Sequence, residues 1–321
     1  MFPSPRLSRR AFGMAALTAP LAVSFAGQAR ADGHAAPGDA AIYGASLGSY
    51  RITAIMDGVA PLGRGFFFGL PDEQINSVME ANGIGPDLLP APVNAYLLQS
   101  GDRTILIDAG MGGLEMLGPG FGRLSAGLAA AGTSAEAVDT VVVTHLHPDH
   151  VGGLLAGGGA AFANAELVVA EAEATFWTDD AAMAAAPEAM QGLFQLAKAV
   201  MGAYAGRVTQ VADGAEIAPG LTLSLSPGHT PGHSVVMIDG GDRQVMMVAD
   251  TIHNAELHTA LPNIGFGFDV DTGLAAQSRV ALFDRLAADK TLIAGSHVHF
   301  PGFGRILRDG EVYRYVPATW A

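Results

Sequence analysis

The chain of 321 residues contains no cysteine. That excludes a thiol nucleophile, a disulfide framework and a thiolate-ligated zinc finger together. Any metal it holds must sit on imidazole and carboxylate. Basic residues are scarce as well: 17 Lys and Arg stand against 31 Asp and Glu, for a formal net charge of -14. Such a surface repels nucleic acid, whose phosphates are gripped by clustered Lys and Arg, and it disfavours polyanionic substrates. A small, neutral, fairly apolar molecule is the expected partner. No stretch reaches the roughly 18 uninterrupted apolar residues of a membrane-spanning helix, so stable membrane insertion is not expected. Aromatics amount to only 7%, so any clustering among them carries information.

Half of the residues are apolar and 15% charged, enough to build a large core. At the start of the chain, Ser8-Arg9-Arg10-Ala11-Phe12 reads as a twin-arginine export signal. An Ala-rich stretch from Gly13 to Gly27 follows, and Ala29-Arg30-Ala31 offers a small-residue cleavage site. Loss of residues 1–31 on export to the periplasm takes away four arginines and no acids, moving the formal charge from -14 to -18. Residues 32–40 read as a flexible leader. Residues 41–321 read as one domain without an internal linker.

Strand-like runs recur between Gly-rich turns, at Arg51–Met56, Asn94–Gln99, Thr104–Asp108, Thr140–Thr144, Glu166–Ala170, Leu221–Ser226, Ser234–Asp239, Gln244–Ala249, Thr291–Ala294 and Glu311–Val316. Helical patterns fall at about Phe121–Ala131, Glu171–Asp179, Glu188–Gly202 and Gly273–Ala288. Strands, a helix and more strands make up the first half, and the second half repeats that outline. The order predicts an α/β (α+β) domain of two sheets flanked by helices.

Chemistry concentrates at the ends of these strands. The run His145-Leu146-His147-Pro148-Asp149-His150 puts three imidazoles and a carboxylate within six residues, directly after Thr140-Val141-Val142-Val143. That ligand set suits zinc and its borderline neighbours. Ser226-Pro227-Gly228-His229-Thr230-Pro231-Gly232-His233 forces a loop that presents imidazole after a second strand. Asp250 ends a third strand, and Gly295-Ser296-His297-Val298-His299 follows a fourth.

These motifs together resemble the metallo-beta-lactamase fold superfamily, a four-layer αββα sandwich, over the chain after residue 40. Leu106-Ile107-Asp108-Ala109-Gly110 matches its strand-end Asp turn. The stretch from Ser296 to Gly304, with His297 ahead of Phe300-Pro301-Gly302, is similar to the methyl parathion hydrolase branch. The resemblance implies two divalent metal ions, expected to be zinc. One would be held by His145, His147 and His229, and the other by Asp149, His150 and His297, with Asp250 bridging. A hydroxide between ions about 3.5–4 Å apart would be the nucleophile, and Asp149 would take its proton. His253 lies three residues after Asp250, where related acyl-homoserine lactonases place a Tyr that polarises the substrate carbonyl. The implied reaction is hydrolysis of a neutral ester, lactone or phosphotriester, an acyl-homoserine-lactone-type lactonase being one alternative. An alternative from another class is a mononuclear iron oxidoreductase resembling persulfide dioxygenases. The sequence leaves a homodimer open.

Asp108 and His233 read as orienting groups behind the ligands. His258 has no assigned role, and His299 is a competitor to His297 for the late ligand position. Phe66-Phe67-Phe68, set between Gly65 and Gly69, suggests a pocket or interface. Phe121, Trp177 and Phe194 fall where the resembled branch has an aromatic pocket, with core packing as the default for each.

Overall fold

A computed structural model describes residues 40–318; the export-signal and leader readings, Ala40 aside, lie outside the described residues. Two seven-stranded sheets organise them. The first holds β1 (Ala41–Leu47), β2 (Tyr50–Gly63), β3 (Leu88–Ser100), β4 (Arg103–Ile107), β5 (Thr140–Val143), β6 (Glu166–Ala170) and β7 (Val208–Val211). The second holds β8 (Ala215–Ala218), β9 (Leu221–Leu225), β10 (Ser234–Asp239), β11 (Gln244–Met247), β12 (Leu292–Ala294), β13 (Phe303–Asp309) and β14 (Val312–Pro317). Within each sheet the strands lie side by side in chain order.

Helices occupy the connections. They are α1 (Asp72–Ala81), α2 (Leu124–Ala130), α3 (Pro148–Val151), α4 (Glu171–Thr178), α5 (Asp180–Ala185), α6 (Glu188–Ala203), α7 (Ala255–Ala260) and α8 (Thr272–Asp289). The pairs β4–β5, β5–β6, β6–β7 and β11–β12 are parallel. A parallel pair needs a crossover rather than a tight turn, and α2 to α8 supply those crossovers.

Side-chain alternation along the strands produces the layers. Leu98, Ile105, Ile107 and Val142 face Leu223, Val236, Val245 and Met247 of the other sheet. Their neighbours Leu97, Leu106, Val141 and Val143 point the opposite way, onto Leu128, Trp177, Phe194 and Val200 of the helices. On the far side, Val235, Met246 and Ile293 pack against Leu282, Phe283 and Leu286 of α8. The result is helix, sheet, sheet, helix, as the sequence predicts. Each fully buried aliphatic or aromatic side chain contributes roughly 1.5–3 kcal/mol, spread over three apolar interfaces.

Strand direction decides where function gathers. β9 and β11 are each antiparallel to β10, and β12 is parallel to β11. The C-terminal ends of β9, β11 and β12 therefore open onto one edge of the second sheet. The loop after β5 meets that edge, joined to it by the Ser234 N–H donating to the Thr144 carbonyl at 3.0 Å.

The observed elements exceed the predicted ones where tertiary packing overrides pattern. β2 and β3 run on past Met56 and begin before Asn94, forming a long two-stranded arm. A register shift between Met56 and Gly58 turns Asp57 inward, where it accepts from the Met111, Gly122 and Leu124 N–H groups. Beyond the shift, Ala60, Leu62, Leu89 and Ala91 pack with Ile75 and Met79 of α1 and with Phe67 and Phe266. Helix α1 escapes the periodic reading because only those two of its ten residues are buried. Strand β1 escapes because Leu47 alone is buried. No helix among the described residues is long and apolar enough to cross a membrane.

Candidate metal centre

His147 caps the N-terminus of α3, and Pro148 takes its first position. A proline there lacks only a donor that the first turn leaves free. The sharp entry brings Asp149 and His150 round to face His145 and His147. Across the cleft, His229 comes from the loop after β9, Asp250 from the turn after β11 and His297 from the loop after β12. His145, His147, His150, His229, Asp250, His253 and His297 are all buried, and Asp149 is partly open.

The seven proposed ligands fall into two groups around Asp250, which is 3% exposed. Its Oδ2 lies 3.6 Å from His145 Nε2 and 3.2 Å from His229 Nε2, and His147 Nδ1 lies 2.9 Å from that same His229 nitrogen. Its Oδ1 lies 3.0 Å from His150 Nε2 and 3.2 Å from His297 Nε2. Asp149 Oδ2 lies 3.4 Å from His297 Nε2 and 3.7 Å from His150 Nε2. The groups His145/His147/His229/Asp250 and Asp149/His150/His297 each converge closely enough to share one ion.

The donor set fits divalent cations. His145 Nε2, His150 Nε2 and Asp250 Oδ1 are buried polar atoms without a hydrogen-bond partner, a costly state unless something else satisfies them. The opposite ring nitrogens are occupied. His150 Nδ1 lies 2.8 Å from Asp108 Oδ2, His229 Nδ1 2.9 Å from Asp269 Oδ1, His297 Nδ1 2.8 Å from the Pro92 carbonyl and His145 Nδ1 3.1 Å from Thr144 Oγ1. Donation of Nδ1–H outward leaves each Nε2 lone pair aimed inward, which is how ligating imidazoles are oriented. His233 works one step back. Its Nδ1 donates to the Ser226 carbonyl at 2.8 Å, and its Nε2 accepts the Asp250 N–H at 3.1 Å.

Electrostatics divide the cluster. Burial, then the neighbouring imidazoles, hold His145 and His147 well below the usual histidine range. Burial pulls His229 and His150 the same way, but carboxylates outweigh it. Asp250 and Asp269 raise His229 to about 9, and Asp250 and Asp108 raise His150 well above its ordinary value. Burial would raise Asp250, yet His150, His297 and His145 hold it well below the carboxylate range. A dication would replace these competing protons.

The structure brings together every sequence-predicted ligand. Asp108 and His233 take the orienting places expected of them. His253 lies beside the cluster, its Nε2 3.0 Å from Asp250 Oδ2 and its ring stacked on Phe266 with 3.6 Å between centroids. His299 is turned away to an exposed pair with Glu256. His258 is buried, its Nδ1 accepting the His253 N–H at 3.1 Å.

The aromatics divide between the core and the margin of the site, and core packing, the default, holds for two of them. Trp177 and Phe194 are core residues, Trp177 meeting His147 edge-on from behind. Phe67 is buried and Phe68 exposed. Phe121 packs at the margin of the arm. Phe66 joins Phe266 and Phe268 in an aromatic group running outward from His253.

Sequence reasoning does not reach Asp269, Glu173, Asn94 or Tyr96. Asn94 Nδ2 donates to the carbonyls of Gly295 and Val298, and Tyr96 Oη donates to that of Gly295, fixing the His297 loop. Nothing in the sequence marks these residues, because their partners lie about 200 positions away.

The two-sheet fold and this cluster define a metal-dependent hydrolase. A profile of the metallo-beta-lactamase superfamily matches residues 88–297, and the chain belongs to that superfamily. An N-acyl homoserine lactonase from a Bacillus species is 26% identical over 236 residues, covering 66% of this chain and 83% of that protein. A probable metallo-hydrolase of Mycobacterium bovis is 26% identical over 269 residues, covering 74% and 79%. Among solved structures, the hydrolase AbOPH of the beta-lactamase superfamily superposes with a TM-score of 0.83 at 28% identity, covering 88% of this chain and 99% of that one. AidC, a dizinc quorum-quenching lactonase solved with a product, gives 0.79 at 25% identity and the same coverage.

Proposed function

We propose that this protein is a dinuclear hydrolase of neutral esters, lactones or phosphotriesters, with a lactone as the leading substrate. The observation that carries the reading is Asp250, whose two carboxylate oxygens face different histidine groups. His145, His147 and His229 would hold one divalent cation, expected to be zinc, and Asp149, His150 and His297 the other. When bound, the cations supply Lewis acidity and lower the pKa of water towards neutrality.

The remaining steps fall to side chains. Asp149 is the most open of the cluster's carboxylates, its side chain 15% exposed, and it is placed to accept a proton during attack. Burial pulls His253 down to about 3 against the opposing pull of Asp250, so it stays neutral. Its single N–H, directed to Asp250 Oδ2 at 3.0 Å, is the donor it would turn to a substrate oxygen when cations occupy that carboxylate, rather than acting as an acid. Phe66 and Phe268 provide an apolar flank beyond Phe266, suited to an acyl chain or aryl group. The acidic composition agrees with a neutral substrate. The lactonases among the relatives support putting a lactone first, and an aryl ester or phosphotriester demands the same oxyanion stabilisation. The twin-arginine motif at Ser8–Phe12 supports a periplasmic site of action.

A hydrolysis screen tests the reading. Purified protein is offered an acyl-homoserine lactone, an aryl ester, a paraoxon-type triester and a beta-lactam, with and without chelator. Chelator-sensitive turnover of at least one of the first three is expected. No such turnover on any of them sinks the proposal, and oxygen uptake with one iron per chain would replace it by the oxidoreductase reading.

A further inference from the structure

Glu173, in the first turn of α4, is fully buried. Its carboxylate accepts four hydrogen bonds, all from neutral donors. Oε1 takes the Leu146 N–H at 2.8 Å and the Trp177 Nε1–H at 2.7 Å. Oε2 takes the Thr230 Oγ1–H at 2.6 Å and the Gly232 N–H at 2.9 Å. Leu146 lies between His145 and His147, and Thr230 directly follows His229. Each oxygen therefore grips one of the two loops that carry these three imidazoles. The packing is close: a Cβ on Gly232 would come within 2.1 Å of the Glu173 backbone nitrogen. Trp177, oriented by the same carboxylate, presses edge-on against His147.

His150 and His297, in the other group, are held from elsewhere. His150 leans on Asp108, and His297 on Pro92, with its loop tied to Asn94 and Tyr96. A buried carboxylate with no cationic partner is an expensive way to join two loops. Two acceptor oxygens on one side chain satisfy donors from both loops at once, which an amide or a hydroxyl at this position could not do.

We propose that Glu173 is a positioning residue that sets metal affinity at the His145–His147–His229 group selectively, by clamping its two loops. The inference rests on the two-metal reading above. Glutamine at 173 keeps the shape but turns an amide NH2 toward one pair of converging donors, so one loop loses its acceptor in either orientation.

The test is a Zn(II) titration of metal-free full-length protein against a chromophoric chelator, comparing wild type with Glu173→Gln. Wild type is expected to bind two ions. The variant is expected to keep one at wild-type affinity and to bind the other about 10- to 100-fold more weakly, the usual effect of losing an outer partner. Assignment comes from adding the substitution to His297→Ala, where the remaining ion should weaken, and to His229→Ala, where it should not. Should Glu173→Gln fail to fold, Thr230→Val removes a single donor and is expected to give a loss of roughly 10-fold, at the low end of that range, confined to the same ion. Equal weakening of both ions, or of neither, overturns the proposal and leaves the two-metal reading standing. Wild type binding fewer than two ions overturns both.

Discussion

Asp250 directs one oxygen to each half of the histidine cluster, so it governs both halves at once. Asp250→Asn should lower kcat/KM at least about a hundredfold and reduce bound metal, as checked by steady-state kinetics alongside elemental analysis. Protonation makes a second, independent forecast for the metal-free protein. His229 has its folded pKa raised to about 9 from 6.5, so its contribution is complete below pH 6.5 and is lost as pH rises through 9. Burial holds His233 at about 4, so the folded state resists its protonation and stability falls as pH drops from 6.5 toward 4. His145, His147 and His258 are shifted down in the same sense. Metal-free protein should therefore be most stable near pH 6.5, and thermal melts across pH 4 to 9 would reveal that maximum. Metal-loaded protein should instead gain stability up the pH scale from 4, because protons compete with the cation for each imidazole. At this scale the ligands were legible because they sit in short, dense motifs. Glu173 and Asp269 were not, since their importance lies in burial against distant loops and the sequence offers 31 acids to choose from.

Elements fix these residues through a few buried polar anchors. Arg279 of α8 is 1% exposed and donates to the carbonyls of Thr251, Pro262 and Ile264, at 2.8–2.9 Å. It binds the turn after Asp250 to the segment that carries Phe266 and Asp269. Burial lowers its pKa to about 10, still leaving it charged at neutral pH. Arg279→Met leaves three inward carbonyls without a donor and should cost on the order of 3 kcal/mol, read from the urea midpoint at unchanged m-value. Most strands and the long helices were readable from periodicity. The arm formed by β2 and β3 was not. Its outer half alternates toward α1 and Phe266 rather than toward the second sheet, and the shift at Met56/Gly58 reverses which face is buried. Helix α7 was also missed, because six residues behind an Asn254 cap are too short to show a period.

At the scale of the whole molecule, two sheets in simple chain order turn four strand ends toward one cleft. The composition of the sequence could not supply that geometry. The resemblance carried by His145–His150, His229, Asp250 and His297 did, and the superfamily match agrees with it. In the two-metal reading, both halves of the cluster hold a cation and hydrolysis needs both. That reading is tested by restoring Zn(II) stepwise to metal-free enzyme while following ring opening of an acyl-homoserine lactone. Turnover should stay low up to one ion per chain, then rise and level off at two. Full activity at one ion, or activity that ignores zinc altogether, would contradict it.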